Sequence, residues 1–319
     1  MGNLHFIPIT EFFSTYGYRT TFFAVVLAGL LAGVFGSLLY LRRQSLMSDV
    51  MGHSAIFGVA CAFIVAEAVL GINGRSIPVL ILGAAVSAFL SVWITSWVSD
   101  RTPISADTAM AVSLALFYGG GLCLLYIISH SRLRGRAGLS DYIFGNAATT
   151  RAADLHAIMW LSVVVLMVLV VLWKEFKICI FDPIAARMYG LRPSIINPIL
   201  MTCVTLAIVA GIKSVGMILM VAFAILPAAI CHQFAGSMAH MALGSGAIGA
   251  LAGGVGTYLS ISAGNVPTGP IVVLLLFGVF VVAILVSPRR RKAAIPSAAD
   301  RPSDEESQRV AIRGTGDPR

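Results

Sequence analysis

Apolar residues in this chain come in runs too long for strands and too continuous for the half-buried helices of a soluble domain. Such runs occupy about 20–41, 51–71, 76–97, 109–130, 155–175, 195–212, 214–235, 240–262 and 266–287, and each is close to the ~17–25 residues a helix needs to cross a bilayer core. The pattern therefore predicts an all-α fold, a polytopic transmembrane helix bundle of about 8–9 spans. Three regions follow: an N-terminal segment over 1–19, a transmembrane domain over 20–287, and a tail over 288–319. The tail is rich in Pro, Ser and charge and lacks aromatic residues, the composition of a disordered segment. Connections between runs are short, so a second folded domain is not expected.

Composition agrees with the pattern. Of 319 residues, 58% are hydrophobic and 11% charged, with a mean hydropathy of +0.91, well away from the near half-apolar, quarter-charged mix of soluble domains. The net charge of +8 does not imply a nucleic-acid partner, because the basic residues sit in connections and in the tail. Arg42-Arg43, the loop with Lys174, Lys177, Arg187 and Arg192, and the run Arg289 to Lys292 place those connections and the C-terminus in the cytoplasm and the N-terminus outside. One connection conflicts with this count: Arg132, Arg134 and Arg136, ahead of GLSDYIFGN, fall on the outer side, so either that segment dips back into the membrane or a span is misdrawn. The N-terminal MGNLHFIPITEFFSTYGYRT lacks a basic leader, short apolar core and cleavage site, so no removable signal peptide is expected. The five cysteines stand singly, without a C-x-x-C pair, and read as small buried apolar side chains.

Glycine-rich runs such as GLLAGVFG (29–36) and GSGAIGALAGGVG (244–256) lie inside apolar spans, where small residues let helices approach closely; they do not have the form of a phosphate loop. The chain carries no G-x-x-x-x-G-K-[ST] and so no ATPase of its own, and no H-E-x-x-H or paired nucleophile and base that would mark a membrane enzyme.

Candidate chemistry begins at SLMSDVMGHSAIFGVA. Asp49 and His53, four apart, share a helix face, and carboxylate oxygen with imidazole nitrogen suits zinc or manganese. One pair supplies two donors, fewer than the four of a closed structural site; a second chain across a two-fold axis would complete them. The competing reading makes Asp49 the N-cap of its helix and His53 a packing residue. Spacing alone favours the cap, whereas an ionisable residue inside a membrane favours function. The segment FKICIFDPIAARMYGLRPSIIN (176–197) predicts a short helix with Asp182 as cap, Pro183 at the first position, Gly190 at the end and Pro193 beyond it. It is either a docking element for a cytoplasmic partner or a plain interfacial helix. Asp107 is expected chiefly to cap the fourth span. Glu67 extrapolates to the face of His53 and either lines a pathway or snorkels at the far interface. His130, His156, His232 and His240 lie near span ends, where solvated or packed histidines are the rule. Pro227 is a hinge or a simple bend.

Taken together, GSLLYLRRQSLMSDVMGHSAIFGVA from Gly36, ADTAM at Asp107, LSDYIFGN (139–146), FDPIAARMYGL (181–191), VGMILMVAFAILPAA (215–229) and NVPTGPIVVLL (265–275) resemble, in order, the permease subunits of bacterial zinc/manganese/iron ABC transporters. The resemblance spans about 20–287 and implies the fold of type II ABC importer permeases, with Asp49 and His53 as the metal site of the translocation pathway. It further implies that Phe181, Asp182, Pro183 and Gly190 belong to the helix that docks into the ATPase. No permanently bound cofactor is implied, the divalent metal being cargo. The partners implied are a cytoplasmic ABC ATPase, an extracytoplasmic metal-binding protein and a second permease chain, itself or a sister. Two departures stand out: Ile184 where the family often has Glu, and Asn265 where it often has Asp, so neither position brings a negative charge. The alternative of another class is an ion-coupled secondary transporter using Asp49, Glu67 and Asp107 as proton or cation sites; such folds often carry inverted repeats, and no convincing repeat is present.

Overall fold

The computed structural model describes residues 8–69, 71, 76–131, 152–263 and 267–287. LSDYIFGN, the arginines 132, 134 and 136, Asn265 and the tail lie outside the described residues. Among the described residues twelve α-helices follow in order: α1 (Ile9–Ser14), α2 (Tyr16–Leu41), α3 (Met47–Ile64), α4 (Ile77–Arg101), α5 (Ala106–His130), α6 (Ala152–Val171), α7 (Trp173–Phe181), α8 (Pro183–Met188), α9 (Pro193–Val215), α10 (Met217–His232), α11 (Met238–Ser262) and α12 (Thr268–Val286). A π-helical turn, Val65–Val69, prolongs α3. Among the described residues there is no strand, as expected where every backbone N–H and C=O must be satisfied within the membrane.

Among the described residues seven helices are long and apolar enough to cross a bilayer, and an eighth span arises if α6 and α7, bent by 67° at their junction, are taken together. The seventh predicted span, 214–235, corresponds to α10, whose 16 residues reach only about 24 Å. Several starts are set by local chemistry. Proline occupies the first turn of α4, α8 and α9, where its missing N–H costs nothing. Ser237 caps α11 by accepting from His240 N at 3.3 Å. The turn between α9 and α10 is a single residue, Gly216, at φ 87° and ψ 156°, a conformation that only glycine adopts without strain.

Side-chain contacts fix which helix ends lie together. Arg42, at the end of α2, donates through Nη1 to Asn197 Oδ1 of α9 at 3.3 Å. The rings of Tyr40 and His232 stand 5.1 Å apart, and Ser287 donates to Gln233 at 3.1 Å. Thus the ends of α2, α10 and α12 and the start of α9 share one end of the bundle, the end that also carries Arg43, Arg187 and Arg192. Phe12 against Tyr258, ring centroids 5.3 Å apart, ties the start of the chain to the far end of α11, at the opposite end. This alternation agrees with the count made from the basic loops.

The centre of the bundle is α2, packed against α10 and α11 through glycines. A Cβ on Gly29, Gly33 or Gly36 would meet the carbonyl of Gly249, Ser245 or Ala224 respectively, so these backbones touch directly. We expect Gly33→Val to lower the thermal unfolding midpoint of the detergent-purified protein, overpacking costing about 1–3 kcal/mol or more. Gly17→Ala, whose added carbon meets nothing within 4 Å, should leave it unchanged; equal midpoints would show that the seam is not tight. A second, polar seam joins α3, α4 and α5. Ser87 donates to the Ser54 carbonyl at 2.7 Å, Ser54 and Ser91 hydroxyls pair at 2.9 Å, and Thr95 donates to Ser113 Oγ at 2.8 Å, all of them buried.

The structure corrects several expectations. The second span begins at Met47, not 51, and its far end widens into a π turn that contains Glu67. The N-cap of α5 is Ser105, whose hydroxyl accepts from Thr108 N at 3.3 Å; Asp107 sits exposed in the first turn without capping. Serine, with its short side chain, can fold back onto the N–H of the first turn from the position just outside the helix. The fifth run turns sharply after Val171 rather than continuing to 175.

Candidate functional site

The first turns of α3 carry the pair singled out by spacing. The N-cap is Leu46, and no side chain accepts from the free N–H groups there. Asp49 therefore does not act as a cap. Instead its Oδ1 lies 3.1 Å from His53 Nε2, one turn further on. Both side chains are partly open, 31% exposed for Asp49 and 21% for His53, so they are desolvated without being sealed. The imidazole is held from its far side: its ring meets Tyr118 of α5 edge-on, centroids 4.8 Å apart at 72°. Its Nδ1 is buried without a hydrogen-bond partner. One turn deeper, Phe57 packs perpendicular to Phe117, and Gly121 leaves α5 room to lie against the Phe57 backbone.

This geometry suits a cation. Ligand atoms on neighbouring vertices of a tetrahedral or octahedral centre with bonds of about 2.0–2.2 Å stand about 2.8–3.6 Å apart, and the Asp49–His53 separation falls inside that span. A divalent ion entering between the two atoms would replace the shared proton while requiring little movement of either side chain. Among the described residues no group of three or more His, Cys, Asp or Glu comes together. One chain thus brings two donors, the number suited to brief occupancy rather than storage. Tyr118 had no signal in the sequence, because nothing in its own neighbourhood marks it; only the packing of α5 on α3 brings it to His53.

At the basic end, α8 is built as its sequence predicts. Asp182 Oδ1 accepts from Ile184 N at 3.0 Å and Ala185 N at 2.9 Å. The helix ends with Gly190 at φ 78°, its N–H donating to Arg187 O and that of Leu191 to Ala186 O, both at 3.0 Å, the paired closure of a Schellman motif. Ala186 is buried and anchors the helix, while Met188 is 85% exposed, Tyr189 77% and Ile184 74%. Phe181 also stands exposed at the end of α7. An apolar knob held by two caps is thereby presented outward.

The remaining candidates are dispersed. Glu67 lies in the π turn at the opposite end of α3 from Asp49, and Asp107 at the basic end of α5 does not join the Asp49–His53 pair. Pro227 is buried within α10. His240 is bonded to Ser237 at 2.7 Å and His130 approaches the Tyr126 carbonyl at 3.0 Å, so both are taken up locally. Arg42, just beyond α2, is a further residue that spacing did not reveal; burial pulls its pKa below the usual guanidinium value.

A bundle of apolar spans with an ion-sized carboxylate–imidazole pair inside it and a capped helix at its basic end defines a polytopic membrane transport subunit. Residues 16–287 match the ABC 3 transport family, and the chain belongs to that family. It is 31% identical over 282 residues to the zinc transport system membrane protein TroC of Treponema pallidum, covering 88% of this chain and 93% of that one. It is 32% identical over 269 residues to the manganese transport system membrane protein MntC of Bacillus subtilis, covering 84% of this chain and 60% of that one. The solved structure of PsaBC from Streptococcus pneumoniae in complex with Fab superposes with a TM-score of 0.76 at 27% identity, over 89% of this chain and 98% of that one.

Proposed function

We propose that the chain is the permease subunit of an ABC importer that moves a divalent transition metal, zinc or manganese and by the same donor chemistry iron, across the bacterial cytoplasmic membrane. The observation that carries this is the 3.1 Å contact between Asp49 Oδ1 and His53 Nε2 inside a transmembrane helix of a family whose relatives include zinc and manganese transport proteins. Membership of an ABC family also disfavours the ion-coupled carrier, which would draw its energy from a gradient through Asp49, Glu67 and Asp107.

In this reading the metal arrives from an extracytoplasmic binding protein and is held between Asp49 and His53 of this chain and the same pair of a second permease chain, giving four donors in all. Nitrogen and carboxylate oxygen accept both zinc and manganese, and the ligand nitrogen must be free of its proton for the ion to bind. Tyr118 keeps the imidazole turned toward Asp49. The permease forms and breaks no covalent bond of substrate. A cytoplasmic ABC ATPase supplies the energy through α7 and α8, with Phe181, Asp182, Pro183 and Gly190 as the docking element. Glu67 at the outer end of α3 and Asp107 at the basic end are stations before and after the pair, and Pro227 in α10 is a point of bending.

The test is uptake by the complex of this permease with its ATPase, reconstituted in vesicles with loaded binding protein. ATP-dependent accumulation of zinc or manganese, not of magnesium or calcium, is expected. Accumulation that needs a proton or sodium gradient and ignores ATP would overturn the proposal.

A further inference from the structure

Away from the Asp49–His53 pair, at the basic end of the bundle, a cavity of about 410 Å³ opens between the α2–α3 turn, the last turns of α4 and the starts of α5 and α9. That volume is in the range of small-molecule sites, about 300–1,000 Å³. Its polar lining is unusual for a space between membrane helices. Arg42 reaches in, using one of its five donors on Asn197. Gln44 brings a carbonyl oxygen, Oε1, that is buried and has no hydrogen-bond partner. Asp100 also lines the cavity, yet the guanidinium and the carboxylate form no ion pair with each other within 4.0 Å. Two opposite charges share one space without pairing, and an acceptor beside them lacks its donor.

The outer wall shows a gradient in the same direction. Along α4, Phe89, Trp93, Ser96 and Asp100 follow one another at three- and four-residue steps, so they share a face, and all four are exposed. The face runs from aromatic within the span to hydroxyl and carboxylate at its basic end. Tryptophan at that depth is the ordinary partner of the lipid–water boundary, and basic pockets between transmembrane helices hold lipid head groups.

We propose that this cavity is a binding site for a zwitterionic phospholipid, a phosphodiester bearing an ammonium group, with its chains along Phe89 and Trp93. The phosphate accepts from the unused donors of Arg42. The ammonium lies at Asp100, on the side of the cavity lined by the α4 end. Phosphatidylglycerol would satisfy Arg42 equally well but bring Asp100 only neutral hydroxyls in place of an ammonium, so the pairing selects phosphatidylethanolamine over phosphatidylglycerol. A bound lipid here would tie the α2–α3 turn, and through it the first turn of α3, to α4 and α9.

The test uses the intact permease–ATPase complex in nanodiscs of equal phosphatidylethanolamine and phosphatidylglycerol, with retained lipid read by native mass spectrometry after mild delipidation. Wild-type complex should retain phosphatidylethanolamine in several-fold excess over phosphatidylglycerol. Arg42→Gln should lose retention of both, and Arg42→Lys should keep it. Asp100→Asn, a substitution at an exposed residue that should not disturb folding, should still retain phospholipid but with the several-fold preference abolished. Arg101→Gln, one residue on and outside the cavity, should match the wild type. Retention at the disc's own lipid ratio in the wild type, or an unchanged preference in Asp100→Asn, would overturn the proposal. So would complete displacement by millimolar soluble glycerophosphoethanolamine, which would identify a soluble phosphodiester as the ligand, or loss of the cavity to cross-links with a second permease chain.

Discussion

Replacing Asp49 with Asn, or His53 with Ala, is expected to reduce zinc and manganese uptake at matched membrane abundance by at least about tenfold, since even changes behind the ligands of a metal site cost about 10–100-fold. The structure makes Asp49→Asn a clean experiment. Leu46, not Asp49, occupies the N-cap and no side chain caps α3, so the substitution removes no cap. Asparagine retains the size and an oxygen able to accept from His53, and what disappears is the charge. Were Asp49 and His53 a structural pair only, Asp49→Asn would keep their hydrogen bond and transport with it. Tyr118→Phe should keep uptake near wild type because the ring contact at 4.8 Å survives, whereas Tyr118→Ala should lower it without removing a donor. Wild-type rates in both Asp49→Asn and His53→Ala would remove the pair from the pathway.

The second large effect is expected at α8. Asp182→Ala removes both cap bonds, at about 0.5–2 kcal/mol. Gly190→Val forces a β-branched residue into the left-handed region at φ 78°, at about 1–2 kcal/mol or more. Either change should disorder the knob of Ile184, Met188 and Tyr189 while leaving the spans intact. ATPase co-purification should fall several-fold, with membrane abundance and thermal stability of the permease unchanged. Normal co-purification together with normal stimulation of ATP hydrolysis by loaded binding protein would show that this helix is not the contact.

Where the physics is local or set by the bilayer, the sequence was informative. Run length gave helix positions to within a few residues, as at 238–262 against an expected 240–262, because the hydrocarbon thickness fixes how long a span must be. The caps of α8 could be read residue by residue, since Asp182 and Gly190 act on N–H and C=O groups within their own turn. What escaped depends on neighbours. Ser48, Asp49 and Gly52 look too polar to begin a span at Met47, but Ser48 and Gly52 are buried against other helices. The 67° bend after Val171 leaves the apolar run uninterrupted, so composition cannot reveal it. Ser105 prevailed over Asp107 as the cap of α5 by a difference of two positions, which residue type alone does not decide. Tyr118 gains its significance from α3 and Arg42 from α9, each far away in the chain.

The glycine seam of α2 bears on how the bundle moves. Side chains that interdigitate can change rotamer and slide by small steps, but Gly29, Gly33 and Gly36 set backbone against backbone with nothing in between to adjust. Helices α2 and α11 with the part of α10 ahead of Pro227 therefore form a keel that travels as one rigid body, and any alternation of access must be carried by the segments around it. The hydroxyl-bonded sheaf of α3, α4 and α5 takes no part in that backbone-to-backbone seam, so it is the part left to rock, and it is the part that holds His53.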